Sequence, residues 1–123
     1  MLTCRISPGA VAVFTDRTGG VSRPPWDSLN LALHVGDAAA DVAENRSRLE
    51  RAEGARIVWM DQVHGANVRV LRGETESAGE CDAIVLEALD GLAPAVMVAD
   101  CVPLLLADTT GAVRAAVHVG RAG

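Results

Sequence analysis

Aromatic residues are nearly absent: no tyrosine, one phenylalanine and two tryptophans make up 2% of the 123 residues. Single-stranded nucleic acid is bound largely by stacking bases on aromatic faces, and this chain has almost none to offer. A basic surface is lacking as well. The eleven basic residues are outnumbered by sixteen acids, for a net charge of −5, and they are scattered along the chain, so the footprint of phosphate-backbone binding is missing. Neither DNA nor RNA is expected as a partner. The first nine residues contain no apolar signal region, and no later apolar run approaches the ~20 residues of a membrane span, so a cytoplasmic protein without a membrane partner is expected. Three cysteines, Cys4, Cys81 and Cys101, are an odd number for a disulfide framework. In a reducing compartment they point to metal or nucleophile chemistry instead.

What is present is apolar and small. Half of the residues are hydrophobic, enough for one domain over residues 1–123 with a core of aliphatic side chains, and no repeat or linker divides the chain. Strands are predicted over 10–15, 55–60, 67–71 and 81–86, the last with Asp82 at its head. Cys81 beside it is exposed or a small core residue. Residues 16–26 form a Gly- and Pro-rich loop whose Arg17 and Arg23 are solvated or meet an anionic ligand. Residues 28–37 alternate apolar and polar, with His34 as a structural or surface histidine. A helix is predicted over 38–53, with Asp37 as N-cap and Gly54 as its end. Its stripe runs Ala38, Val42, Asn45, Leu49, Ala52, and Arg46 stands at the border. Arg46 is therefore either half of a helix-to-loop ion pair or a forked donor aimed at an anion. His64-Gly65 closes the strand 55–60, where loops commonly carry function. Residues 72–80 are polar and turn-rich and are expected to be mobile.

The last third carries the chemistry. Residues 98–108, VADCVPLLLAD, read as a strand buried on both faces, with Cys101 directly after Asp100. If Asp108-Thr-Thr-Gly111 forms the turn, Ala107 pairs with Ala112 in a hairpin with residues 112–118, and the same register sets Cys101 directly across from His118. A bulge at Pro103 would shift the pairing by one and separate them. A thiol and imidazoles at such spacing suit a Cys–His nucleophile, two ligands of one metal, or a buried cysteine beside a satisfied histidine. His64, Cys101 and His118 together fit a catalytic zinc with one position open, because structural zinc sites close all four.

The motifs Phe14-Thr-Asp-Arg-Thr-Gly-Gly-Val-Ser, Ser28-Leu-Asn-Leu, Val35-Gly-Asp, Asn45-Arg46, Gln62-Val-His-Gly, Cys81-Asp-Ala, the run from Ala99 to Asp108, and Ala116-Val-His-Val-Gly occur in an order that resembles the laccase-domain family. Its members are also called multicopper polyphenol oxidoreductases or zinc-dependent purine nucleoside phosphorylases. The resemblance implies an α+β fold of layered mixed sheets with flanking helices, and a zinc held by His64, Cys101 and His118, which are then also the catalytic residues. It implies phosphorolysis of a purine nucleoside by phosphate, with Arg46 as phosphate-binding residue. Adenosine deamination and methylthioadenosine cleavage occur in some members. Copper with phenol oxidation is the alternative, but three histidines in all cannot build multicopper clusters. Family members are roughly twice this length, so the chain is expected to cover the N-terminal half. A non-catalytic zinc-binding remnant, or a module whose apolar hairpin is covered by a protein partner, then stands beside the enzyme reading. The family's His-Ala-Gly-Trp-Arg-Gly is here His118-Val-Gly-Arg-Ala-Gly123: the tryptophan is missing and the arginine is lost or displaced to Arg121.

Overall fold

The computed structural model describes residues 1–73 and 77–121. It shows an α+β protein with one helix and nine strands among these residues. The chain divides into two compact units, one of Met1–Thr3 with Val13–Gly54, the other of Cys4–Ala12 with Ala55–Gly123.

The strands Leu2–Ser7 (β1) and Ala10–Phe14 (β2) pair as a hairpin. The helix, Ala39–Glu53 (α1), belongs to the first unit. Its interior is free of glycine and proline, and Gly54 ends it at φ 65° with its N–H on the Glu50 carbonyl, a left-handed cap that a Cβ would disfavour. Only Val42 and Asn45 of the expected stripe are buried; Leu49 is partly so, and Ala38 and Ala52 are exposed. Asp37 does not cap the helix. Ala38 holds the N-cap position with no side-chain bond, because the Asp37 carboxylate is taken by the loop, accepting from Ser22 Oγ, Asn30 Nδ2 and the Ala38 amide. Residues 28–37 are irregular and tied down by such side-chain bonds.

The second unit is built on two sheets. Arg56–Asp61 (β3) lies between Ser77–Glu80 (β5) and Leu92–Pro94 (β7), all parallel. The other sheet has the order β4-β6-β9-β8, from Val68–Leu71 (β4), Ala83–Glu87 (β6), Val113–Val119 (β9) and Val102–Ala107 (β8). Here β4 and β6 run parallel, and the β6–β9 and β9–β8 pairs are antiparallel. Val58, Met60, Ala78, Cys81, Ile84, Leu86 and Leu92 interlock as the core, with contributions from both sheets. Truncating a buried Ile or Leu here costs about 2–5 kcal/mol. β5 occupies part of the segment 72–80 expected to be mobile; its Ser77–Glu80 pairs with β3, Arg72 bonds Glu87, and 74–76 lie outside the described residues.

Two expectations for the last hairpin are corrected. Ala107 pairs with Arg114, a register two residues from the simple four-residue turn, so His118 faces Pro103. The longer loop lies against the β1–β2 turn: a Cβ on Gly111, at φ +79°, would lie 2.1 Å from the Gly9 carbonyl oxygen. A shift of two, unlike a shift of one, keeps every side chain on its original face. Nor is β8 buried on both faces. It is an edge strand whose Pro103, Leu105 and Ala107 are half-buried, while Val102, Leu104 and Leu106 are 60%, 42% and 51% exposed. The same face continues through exposed Val113 and Val119 to Val68 and Val70. Pro103 suits the edge, where its missing N–H costs no ladder bond. No described helix is long and apolar enough to cross a membrane.

Candidate metal centre

Three separate segments of the second unit supply the cluster. His64 lies in the loop from β3 to β4, Cys101 directly precedes β8, and His118 is the penultimate residue of β9. One ligand atom from each lies within 4.8 Å of the others. Cys101 Sγ is 3.8 Å from His64 Nε2, and the two imidazoles meet edge to face at 4.8 Å between centroids. The register places Cys101 diagonally from His118 on one face of the sheet, within reach of a long side chain. The neighbour of the thiol at hydrogen-bond range is His64 and not His118, the partner expected for a Cys–His pair.

Burial first, and the Asp100 carboxylate second, push the Cys101 thiol up. Cys101 also donates to Asp100 Oδ1 at 3.7 Å. Such surroundings oppose a free thiolate nucleophile, which needs cationic neighbours. A bound cation would supply the missing positive charge.

Asp82 stands behind the histidines, and its part in the site was not legible from its place at a strand head. The β6–β9 register, carried one step beyond Ala83 opposite Val117, sets Asp82 against His118. Both are buried, at 2% and 5% exposure, and His118 Nδ1 lies 2.7 Å from Asp82 Oδ2. The carboxylate also accepts the backbone N–H groups of Val63, His64 and Gly65 at 3.2, 3.0 and 2.8 Å. Burial raises this carboxyl, but His118 and the three amides together outweigh burial and hold it below the usual carboxylate range. His64 itself sits at φ 58°, a left-handed conformation costing a residue with a Cβ about 1 kcal/mol or more. The available signal was chemical: an acid flanked by core residues must be paired.

The residues fit a metal ion. Two imidazoles and a thiolate are borderline-to-soft donors of the kind zinc and copper select, and the Asp82 contact at Nδ1 leaves Nε2 of His118 as the ligating atom. A glycine lines the cluster: a Cβ on Gly120 would come within 3.2 Å of His64, 3.8 Å of His118 and 3.9 Å of Cys101 Sγ. Gln62 steadies the approach to Cys101 by exchanging two hydrogen bonds with the Met97 backbone, at 2.6 and 2.8 Å.

Arg46 is in the first unit. Its Nε and Nη2 donate to the Leu31 carbonyl at 2.9 and 2.7 Å, a clamp from the helix to the loop backbone. Asn45 is fully buried and bonded to Val21, Ser22 and Asn30. His34 is exposed. Of the altered ending, Ala122 and Gly123 lie outside the described residues.

Two sheets closed over one core, with a His–Cys–His cluster at one end of the mixed sheet, define an α+β protein with a candidate metal centre. The family model described as "Multi-copper polyphenol oxidoreductase laccase" matches residues 11–123, and the chain belongs to that family. A purine nucleoside phosphorylase of Mycobacterium tuberculosis is 49% identical over 90% of this chain and 46% of its own length. One from Streptomyces griseus is 46% identical over 98% of this chain and 51% of its own. A crystal structure of a Neisseria meningitidis protein superposes with a TM-score of 0.79 at 34% identity, over 97% of this chain and 50% of that one. The chain spans about half the length of the curated relatives it matches.

Proposed function

We propose that this chain carries the metal-holding half of a zinc-dependent purine nucleoside phosphorylase, with residues 1–123 as its N-terminal half. The observation that carries the reading is the convergence of His64, Cys101 and His118 within 4.8 Å, in a chain whose curated relatives are named purine nucleoside phosphorylases. Three protein ligands are the number that catalytic zinc uses, leaving one place for chemistry. Zinc is favoured over copper because two imidazoles and one thiolate gathered at a single site, with a place left over, are the donor set of a catalytic zinc.

In the reaction, phosphate oxygen forms a bond to the ribose C1′ as the C1′–N9 bond breaks; the purine departs with a proton and ribose 1-phosphate remains. When bound, zinc supplies a Lewis acid that offsets negative charge developing in the transition state. The chain's own groups do the rest. Asp82 holds the His118 ring, the αL turn at His64 presents its imidazole beside Cys101, and Gly120 leaves the approach uncluttered. Arg46, in the first unit, is the phosphate-binding candidate that the family likeness supplies, its guanidinium suited in kind to a phosphate. The protein works in the cytoplasm on a nucleoside and inorganic phosphate.

A second reading is favoured by the open apolar face of the mixed sheet and the half-length match: a zinc-holding module that turns over only when another polypeptide layer covers that face. Metal content per chain, beside a Cys101→Ser variant, is the test of the centre. Close to one zinc in the parent and less than about a tenth in the variant is expected; no zinc in either overturns the metal reading. Phosphate-dependent hypoxanthine release from inosine, compared with His118→Ala, then separates enzyme from module.

A further inference from the structure

We infer that Asp82 is the positioning residue of the metal centre, one carboxylate that sets both histidine ligands by two different routes. The inference rests on reading the His–Cys–His group as a metal centre. The route to His118 is through the ring: Nδ1 at 2.7 Å from Oδ2 makes Nδ1 the protonated nitrogen opposite a carboxylate, leaving Nε2 free to ligate. The route to His64 is through the backbone. Three successive N–H groups, of Val63, His64 and Gly65, converge on the same carboxylate, so the anion fills a nest of amides and holds the turn that carries His64 at φ 58°.

The two oxygens divide the work. Oδ1 accepts from Val63 and Gly65, and Oδ2 accepts from His64 and His118. Both are acceptors facing donors only, a pattern that an ionised carboxylate satisfies and an amide cannot, since an asparagine must turn its NH2 toward one of the two donor pairs. The backbone of Asp82 adds to the anchoring, its N–H on the Asn67 carbonyl at 3.1 Å and its carbonyl accepting the His118 N–H at 2.8 Å. Asp82 thereby ties the β3–β4 loop to β9, and both imidazoles take their geometry from one buried side chain.

The test is Asp82→Asn in the full chain, with Co(II) as a spectroscopic probe and Zn(II) in chelator competition. Far-UV circular dichroism of the variant should match the parent, while Co(II) and Zn(II) affinity falls roughly 10–100-fold and the thiolate-to-cobalt absorption weakens or shifts. Long-range 1H–15N spectra of the metal-free parent should show the His118 ring as the Nδ1–H tautomer, and the variant should lose that preference. A folded variant with parental metal affinity and parental tautomer overturns the role of Asp82. If the parent binds neither metal, the metal reading falls, and the tautomer and the His64 amide shift still decide whether Asp82 orients the two histidines. Should the variant fail to fold, the parent's tautomer decides: Nδ1–H supports the assignment and Nε2–H overturns it.

Discussion

Two carboxylate-centred polar knots, one in each unit, differ in what they leave over. In the first unit Asp37 accepts from Ser22, Asn30 and the Ala38 amide. Asn45 links Ser22, Val21 and the Asn30 carbonyl around it. The polar atoms of that knot are spent on one another, and its product is a fixed loop. In the second unit Asp82 is just as fully used, but one of its partners is an imidazole and another is the backbone of a histidine. Each histidine keeps a ring nitrogen that faces a thiol. Buried polar groups must be satisfied in either place; chemistry collects where satisfaction ends on a side chain with a second reactive atom.

Asn45→Ala is expected to have the largest effect on this contrast. It strips buried partners from the Val21 amide, the Ser22 hydroxyl and the Asn30 carbonyl, and stability should fall by about 2–3 kcal/mol in urea unfolding. Zinc per folded chain should stay at the parental value; loss of zinc from a protein still folded would erase the distinction between a structural and a ligating knot. Gly120→Ala works on the other side. Its Cβ would press on His64 Cδ2 at 3.2 Å, so zinc affinity should drop several-fold, a loss of about 1 kcal/mol on the order of one overpacked contact. Chelator competition reads it, and unchanged affinity would show that the glycine is no part of the cradle.

The smallest effect is acid sensitivity of the first knot. The Ser22 hydroxyl foremost, then Asn30, hold the Asp37 carboxyl below its ordinary value. A depressed carboxyl contributes stability above its unfolded pKa, about 3.9, and that contribution disappears as pH falls through the lower folded value. Asp37→Asn should therefore flatten the stability profile below about pH 4 and leave its shape near neutrality unchanged. A variant profile parallel to the parent's throughout would mean that Asp37 is not ionised to advantage.

Local features were readable in the chain because local physics produces them. Apolar runs, alternation and branched residues marked β2, β3, β4, β6, β8 and β9, Gly54 marked the end of α1, and a thiol and two imidazoles stood out as a candidate metal or nucleophile group before any geometry was known. Composition could not reveal β5 and β7, whose short runs become strands by pairing with β3, distant in sequence, nor β1, whose polar residues gave no strand pattern. The last hairpin lies between these cases. Its existence followed from two apolar runs around a turn signal, and the shared face of Cys101 and His118 survived because a shift of two preserves faces, whereas the register itself differs by two residues from the one the turn suggested. Asp37 looked like a cap and Asp82 like an ordinary strand head; packing exchanged their importance. A side chain's type states which bonds it can make, and that much is present in one dimension. Which bonds it does make depends on the donors that the fold brings to it, and for Asp82 those donors come from residues 63–65 and 118, separations over which sequence pattern carries no information about contact.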